Sequence, residues 1–508
     1  MAIVLESRQS IDADRVTTLP PSADRFPTRL VLVAMVGSIT LRARFITTPL
    51  SADEGGYLAV TRAWAAGKSM YGEAWVDRPQ GLLVLFRLWD DLTGGSPAAI
   101  RVMAIVFGCI AVASVAYAVF AFAGRRAAGV AAILVAVASA NARIEGFIAN
   151  GELLAGALAA AGVAAACAYM FRGHSRWWLL VSGVLAGCAL SIKQSGFDGF
   201  LAVMLCLVAG GLTRERRWQT VIRDCAVAAA GLVLVMGALV VHGVLIGFSS
   251  WWYAVAGYRL GGLNATSDAD WGRFRTTSLI AAPTILPLVV AAVAGLVAWL
   301  VGSRILTRAT VLLPAWVCWA VLAFMTGGLF HRHYWVTLTF PLAAAAAVAI
   351  ARVNVRMLAV ATCLATFPSL ISTAEVIVLD RDSVAIRAHD DPRLVINERV
   401  GRWYIEHRTP GSTLYAMCAS AALYTSADAI PPFPYLWLDG VQNGKDAQDQ
   451  LVELFSGANP PTFVAMYQDV GVCNPSGQIS VLLSRRYATR AIVDGATILV
   501  LRIGASST

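Results

Sequence analysis

The sequence predicts a polytopic α-helical membrane protein with a separate α/β domain at its C-terminal end, and three observations carry that prediction. Long apolar blocks recur through the first three quarters of the chain, arginines gather in alternate connections between them, and the composition changes after Leu379.

With 508 residues, 58% of them hydrophobic and only 14% charged, the chain is far more apolar than a soluble protein of its length. Blocks of roughly 17–25 apolar residues match what a helix needs to cross a hydrocarbon core about 30 Å thick. About eleven candidate spans follow, at residues 30–46, 97–123, 127–142, 147–171, 177–192, 197–212, 225–248, 276–301, 309–327, 334–350 and 357–379. Residues 1–29 form a polar tail with Pro20, Pro21 and Pro27. The tail lacks the short apolar core and small-residue cleavage pattern of a secretory signal, so the first block is expected to be a retained anchor. Seven of the nine cysteines fall inside apolar blocks, where they read as small buried hydrophobes. Cys418 and Cys473 remain; they could pair if their domain lies outside the cytoplasm, but spacing alone does not fix their separation.

The second observation orients the helices. With the N-terminus inside, the cytoplasmic connections hold twelve basic residues: Arg125, Arg126, Arg172, Arg176, Arg214, Arg216, Arg217, Arg223, Arg304, Arg308, Arg352 and Arg356. The opposite short connections hold six: Arg143, Lys193, Arg259, Arg273, Arg275 and Arg332. This bias favours the stated topology and explains the net charge of +9 without a nucleic-acid partner. The short apolar block 81–89 would reverse every later loop if it crossed, so it is expected to lie in the outer interface. Residues 47–96 are then an outer loop, with a helix over 54–66 where Tyr57, Val60 and Trp64 recur at helical spacing.

The third observation marks a separate extracytoplasmic α/β domain over residues 380–508. Short β-rich runs at 413–417, 462–466 and 497–501 alternate with helix-like stretches at 393–407 and 447–455. Asp494-Gly495 between two β-rich runs is a two-residue hairpin signal. Ala-, Val- and Arg-rich, lysine-poor usage points to a bacterial plasma membrane and a periplasm-like outer side.

The residues that could carry chemistry collect at the outer ends of the spans. Asp53 and Glu54, within Ser51-Ala52-Asp53-Glu54-Gly55-Gly56-Tyr57, follow the first span; the plain alternative is a helix N-cap, which acids also suit. Asp77-Arg78-Pro79-Gln80-Gly81 opens the interfacial block, or is simply a helix start with a snorkelling arginine. Glu152 sits near the outer start of one span and Lys193-Gln194 ends another, where an acid toward the bilayer is costly unless paired or facing a wet cavity. His331-Arg332-His333-Tyr334 precedes the tenth span. Histidines at i and i+2 diverge on a helix, so substrate contacts suit them better than zinc. Arg259, Arg273 and Arg275, with Trp251, Trp252 and Tyr253, occupy the outer loop between spans seven and eight, where the aromatics also suit an interface belt. Transporters usually keep ionisable groups near the midplane, whereas this ring of acids and cations suits a reaction at the interface.

In these motifs the chain resembles the GT-C membrane glycosyltransferases, nearest the protein O-mannosyltransferases and the lipid A aminoarabinose transferase. The resemblance rests on the Asp-Glu pair, the Gly67-Lys68-Ser69-Met70-Tyr71-Gly72 stretch, Arg78-Pro79-Gln80-Gly81, Glu152, Lys193 and His333-Tyr334, over roughly residues 30–350. Many relatives carry two prolines where this chain has Pro79-Gln80. The resemblance implies a sugar carried on a polyprenyl phosphate, an envelope glycan, lipid or protein acceptor, and an inverting displacement. Phosphate is already a good leaving group, so a base for the acceptor and cations for the phosphate suffice. Asp53 is the expected base, with Glu54 beside it in the catalytic pair. Lys193, Arg259 and Arg332 are expected to bind the donor phosphate; Arg78, Glu152, Gln194, His331, His333 and Tyr334 are expected to line the substrate pocket. No metal site is evident, though carboxylates beside a phosphate could recruit a divalent ion. The competing classes are a transporter or lipid flippase and a non-catalytic envelope-assembly protein.

Overall fold

The computed structural model describes residues 25–262, 268–302, 307–418 and 420–502; the tail up to residue 24 and Arg304 lie outside the described residues. The chain begins with α1 (Thr28–Ala43), then α2 (Ala52–Ala65) and α3 (Gln80–Thr93). There follow α4 (Pro97–Ala138), α5 (Gly151–Arg172), α6 (Trp177–Ile192), α7 (Asp198–Leu212) and α8 (Trp218–Trp252). A π-turn (Tyr253–Gly257) leads into α9 (Tyr258–Gly262), α10 (Asp268–Gly302), α11 (Arg308–Thr326), α12 (Trp335–Ile350) and α13 (Val355–Ile377). Every apolar block expected to cross the membrane lies on one of these helices. Among the described residues, seven helical segments are long and apolar enough to do so, and α6 and α7 are shorter apolar helices.

Blocks 97–123 and 127–142, expected as two spans, are the two limbs of α4, which turns back at Gly124, whose φ of +85° lies in the left-handed region open to glycine. Its halves run antiparallel along α1. Phe26, just before α1, meets Tyr117 and Phe120, and Leu30 abuts Gly129; at the other end Arg42 meets both Gly108 and Ser139. Arg42 is buried and donates to Ser38 Oγ, to the Ser139 carbonyl at 2.7 Å and to the Gly146 carbonyl at 3.0 Å.

The described part of the outer loop expected between the seventh and eighth spans is helical. Gly247 breaks α8 at φ +112°, and the chain folds back so that Trp251 packs over Gly243. Arg273 and Arg275 likewise lie on the first turns of α10 rather than in a connection.

Helix α2 starts on a reciprocal capping box: the Glu54 amide donates to Ser51 Oγ at 3.2 Å, and the Ser51 amide donates to Glu54 Oε2 at 3.1 Å. Helix α3 is amphipathic. Leu82, Leu83 and Phe86 are buried against α2 and α6, while Val84, Leu88 and Leu92 form an exposed apolar stripe at helical spacing. Gly81 permits the approach to α6, since a Cβ there would stand 2.1 Å from Ser191 Oγ.

The C-terminal unit begins at α14 (Arg381–His389), continues through α15 (Arg393–His407), α16 (Ala422–Ser426), α17 (Leu438–Asn443), α18 (Ala447–Ser456) and α19 (Gln478–Arg486), and holds one sheet. The sheet comprises β1 (Leu414–Met417), β2 (Phe463–Met466), β3 (Tyr487–Val493) and β4 (Ala496–Leu501) in the order β1-β2-β4-β3, with β1 and β2 parallel and the other pairs antiparallel. The β3–β4 turn has Asp494 and Gly495 at φ +47° and +86°, the double left-handed geometry of a tight hairpin. A disulfide joins Cys418 to Cys473.

This unit sits on α2. A Cβ at Gly55 would meet Ala422 at 2.6 Å, one at Gly56 would meet the Trp437 ring at 2.4 Å, and Thr425 Oγ1 donates to the Gly55 carbonyl at 2.7 Å. The glycine pair after Asp53-Glu54 is therefore a docking face where two backbones touch.

Candidate active site

Two consecutive carboxylates open the site and take different surroundings. Glu54 is fully buried. One oxygen closes the capping box and pairs with Arg101 Nη2 at 3.0 Å, and the other accepts from the Ala149 amide at 2.8 Å. A buried carboxylate needs this much compensation, because its desolvation costs several kcal/mol. Asp53, one residue earlier, is partly exposed and makes no hydrogen bond among the described residues; its nearest partner is His333 Nε2 at 3.7 Å.

His333 connects three acids. Its Nε2 lies 3.7 Å from Asp53 Oδ2 and 3.8 Å from Glu152 Oε1, and its Nδ1 donates to Glu145 Oε2 at 3.0 Å. Glu152 in turn forms an ion pair with Lys193. Local structure aims both partners. Asn150 caps α5 by accepting from the Leu153 amide at 2.8 Å, which puts Glu152 on the first turn, and Lys193 leaves the end of α6 in an extended conformation. Gly151 leaves room for the Lys193 stem, and the ammonium sits 4.0 Å from the centre of the Tyr334 ring.

A cationic group adjoins these acids. Asp77 pairs with Arg78 at 2.9 Å and with Arg259 from α9, and Gln194 donates to the carbonyls of Asp77 and Val255, each at 3.0 Å. Burial opposes the charge of Asp77, but Arg259 and Arg78 outweigh it and hold the carboxyl below its ordinary pKa. Burial depresses the Lys193 ammonium, Arg78 and Arg259 push the same way, and Glu152 opposes them. Three cations within electrostatic reach of one another and sharing two acids form a place where an anion relieves repulsion.

Asp53, Glu152, Lys193, His333 and Tyr334 thus meet at one point, with Arg78, Gln194 and Arg259 beside them. Arg332 makes its contacts with the C-terminal unit, donating to Asp390 at 3.1 Å and to the Ala388 carbonyl at 3.3 Å. His331 stacks on His333 with ring centres 5.5 Å apart and faces a cleft of about 260 Å³ shared with Glu145, Arg273, Arg332 and His389. A larger cleft of about 490 Å³ lies in the C-terminal unit, lined by Gln442, Asn443, Gln448 and Asn474 among others, and touches none of the acids.

Sequence reasoning passed over Glu145 and His389. Glu145 follows a single helical turn with φ +52°, and each of its oxygens accepts from a histidine: His333 at 3.0 Å and His389 of α14 at 2.7 Å. Burial alone would raise its pKa; the two histidines overcome this and hold it well below the usual carboxylate range. Among the described residues, no three His, Cys, Asp or Glu side chains are arranged to hold a metal ion.

No protein-family model and no curated protein sequence matches the chain. Solved structures do. The crystal structure of ArnT from Cupriavidus metallidurans bound to undecaprenyl phosphate superposes with a TM-score of 0.64 over 94% of this chain and 98% of that one, at 13% identity. The fold is that of the GT-C membrane glycosyltransferases. The same fold relates the chain to the Archaeoglobus fulgidus oligosaccharyltransferase tethered to an acceptor peptide, with a TM-score of 0.56, 12% identity and coverage of 91% and 72%. It also relates it to AglB from that organism in complex with an inhibitory peptide and a dolichol-phosphate, with a TM-score of 0.56, 11% identity and coverage of 94% and 74%. At 94% coverage the shared fold extends from the helices into the C-terminal unit.

Proposed function

We propose that the protein is a glycosyltransferase that moves a sugar from a polyprenyl-phosphate donor to an envelope glycan, lipid or protein acceptor. One observation carries the reading: Asp53, left without a hydrogen bond, faces the same point as the Glu152–Lys193 pair and the Asp77, Arg78 and Arg259 group. The structures it resembles are a transferase holding undecaprenyl phosphate and an oligosaccharyltransferase holding dolichol-phosphate, which supports the donor class.

In this reading Asp53 takes the proton of the acceptor hydroxyl as its oxygen attacks the anomeric carbon. The bond from that carbon to the phosphate oxygen breaks, the phosphate keeps the electron pair, and the configuration inverts. Lys193, Arg78 and Arg259 neutralise the departing phosphate. Glu152, His333, Gln194 and Tyr334 shape the sugar site. Glu54, with its oxygens committed to Arg101 and two backbone amides, is a positioning residue for Asp53. Arg332 and His331 belong to the adjoining cleft. The site and the C-terminal unit are assigned to the extracytoplasmic side of a bacterial plasma membrane, supported by the arginine bias and by the Cys418–Cys473 disulfide.

The test supplies purified protein with a panel of synthetic polyprenyl-phosphate sugars (mannose, glucose, arabinose and aminoarabinose) and an envelope extract as acceptor. Free polyprenyl phosphate should appear with at least one donor and disappear in Asp53→Asn. No release with any donor, alongside movement of intact donor across a vesicle membrane, would favour a flippase.

A further inference from the structure

The acid between the two histidines points to a role for the C-terminal unit in catalysis. Glu145 lies 188 residues from His333 and 244 from His389, yet its carboxylate links the two rings. A carboxylate only accepts, so both Nδ1 atoms carry hydrogen and the orientation of each ring is set. The backbone is held in place for this purpose. A glutamate at φ +52° occupies a region that side chains disfavour, and such a conformation persists only where its surroundings impose it. Those surroundings are visible. Arg42 grips the Ser139 and Gly146 carbonyls on either side, Phe147 stacks on Phe45 with ring centres 3.8 Å apart, and the His389 ring meets the Phe147 edge. Phe45, Ala142, Phe147, Ile148, Val384 and Ala388 pack as a small core of their own, which fixes α14 to this segment.

The consequence falls on His333. Glu145 on the connection before α5, Asp53 on α2 and Glu152 on α5 face it, with His331 stacked on one side and Tyr334 against it. With Nδ1 fixed by Glu145, its Nε2 is aimed between Asp53 and Glu152.

We propose that Glu145 and His389 are positioning residues that lock the His333 ring across Asp53 and Glu152, so that the first helix of the C-terminal unit completes the active site. The inference rests on the reading of Asp53 as the base. A loosened His333 leaves the donor phosphate contacts at Lys193 and Arg259 intact, so the defect falls on turnover and not on donor binding. His389→Ala should lower kcat by about 30- to 100-fold, the scale of a reacting group misplaced by about an ångström, with the donor KM within about threefold. His389→Asn keeps an N–H near the Nδ1 position and should recover activity to within about threefold of wild type. Glu145→Gln should resemble His389→Ala, and the double variant should be no worse than either single one, because both act through one contact.

A second measurement needs no turnover. Diethyl pyrocarbonate, which modifies free imidazole, should label His333 several-fold faster in His389→Ala and Glu145→Gln than in wild type or His389→Asn, as read by peptide mass spectrometry. Wild-type kcat in His389→Ala, a His389→Asn variant no better than the alanine, or unchanged His333 labelling would each overturn the proposal. If the wild-type protein turns over none of the donor panel, the transferase reading fails and the labelling alone decides whether His389 orients His333.

Discussion

The floor of the site around Glu54 and its mouth around Asp53 are built from adjacent residues of one helix turn, yet they differ in every physical respect. Glu54 is sealed from solvent and matched to a guanidinium and two backbone amides; Asp53 is partly exposed and faces a histidine at 3.7 Å without a hydrogen bond. A buried carboxylate with both oxygens engaged is out of reach of a substrate proton. A partly exposed one without a hydrogen bond is within reach, and its cost is tolerated because the folded frame around it is secured by its neighbour.

That contrast gives opposite expectations for two nearly isosteric substitutions. Asp53→Asn should cost at least about 10³-fold in kcat, within the range for removing a general base, with thermal unfolding unchanged. Substantial turnover in this variant would erase the distinction. Glu54→Gln should act on folding instead. It leaves Arg101 buried without its counter-charge, worth about 3–5 kcal/mol, and the variant should unfold well below wild type in a detergent melt. A smaller effect falls on Lys193→Ala, which should raise the donor KM about tenfold or more while leaving acceptor saturation unchanged. Equal effects on both substrates would remove Lys193 from the phosphate site.

Acid sensitivity sharpens the comparison further. Asp77 is held below its ordinary pKa by Arg259 and Arg78, so its stabilising contribution is present above about pH 4 and is lost as pH falls through the lowered value. Between about pH 4 and pH 2 the wild-type melting temperature should fall more steeply than that of Asp77→Asn. The smallest expected effect is at Arg332→Ala, whose partner Asp390 is 82% exposed; it should change stability by less than about 0.5 kcal/mol.

Much of the frame was legible because hydropathy and charge are read locally. Each apolar block lies on a helix, α15 spans the expected Arg393–His407, and Asp494-Gly495 forms the expected turn. The Asp-Glu pair was read both as a site and as a helix cap; Ser51 and Glu54 form the cap, and the Asp53 carboxylate takes no part in it. Where local reading failed, a glycine or a long-range pairing was responsible. Gly124 leaves almost no connection between its two blocks, and after the break at Gly247 the connection between the seventh and eighth expected spans winds into helix. Glu145 carried no signal in the sequence because it lies outside any periodic segment and its histidine partners are far along the chain. Arg332 was expected at the donor phosphate, and nothing in the pattern could point it at Asp390 instead.

The grip of Arg42 on the segment before α5 separates what shapes the chain there from what its side chains do. The guanidinium holds Ser139 and Gly146 chiefly through main-chain oxygens, at a point where Gly146 leaves no space for a side chain. The path of the segment is thus set from its main chain, which leaves the Asn141 and Glu145 side chains to bond Thr284 and the two histidines; a lysine at position 42 could not fork between two carbonyls. One arginine in the first helix therefore holds the ledge from which Glu145 reaches both rings.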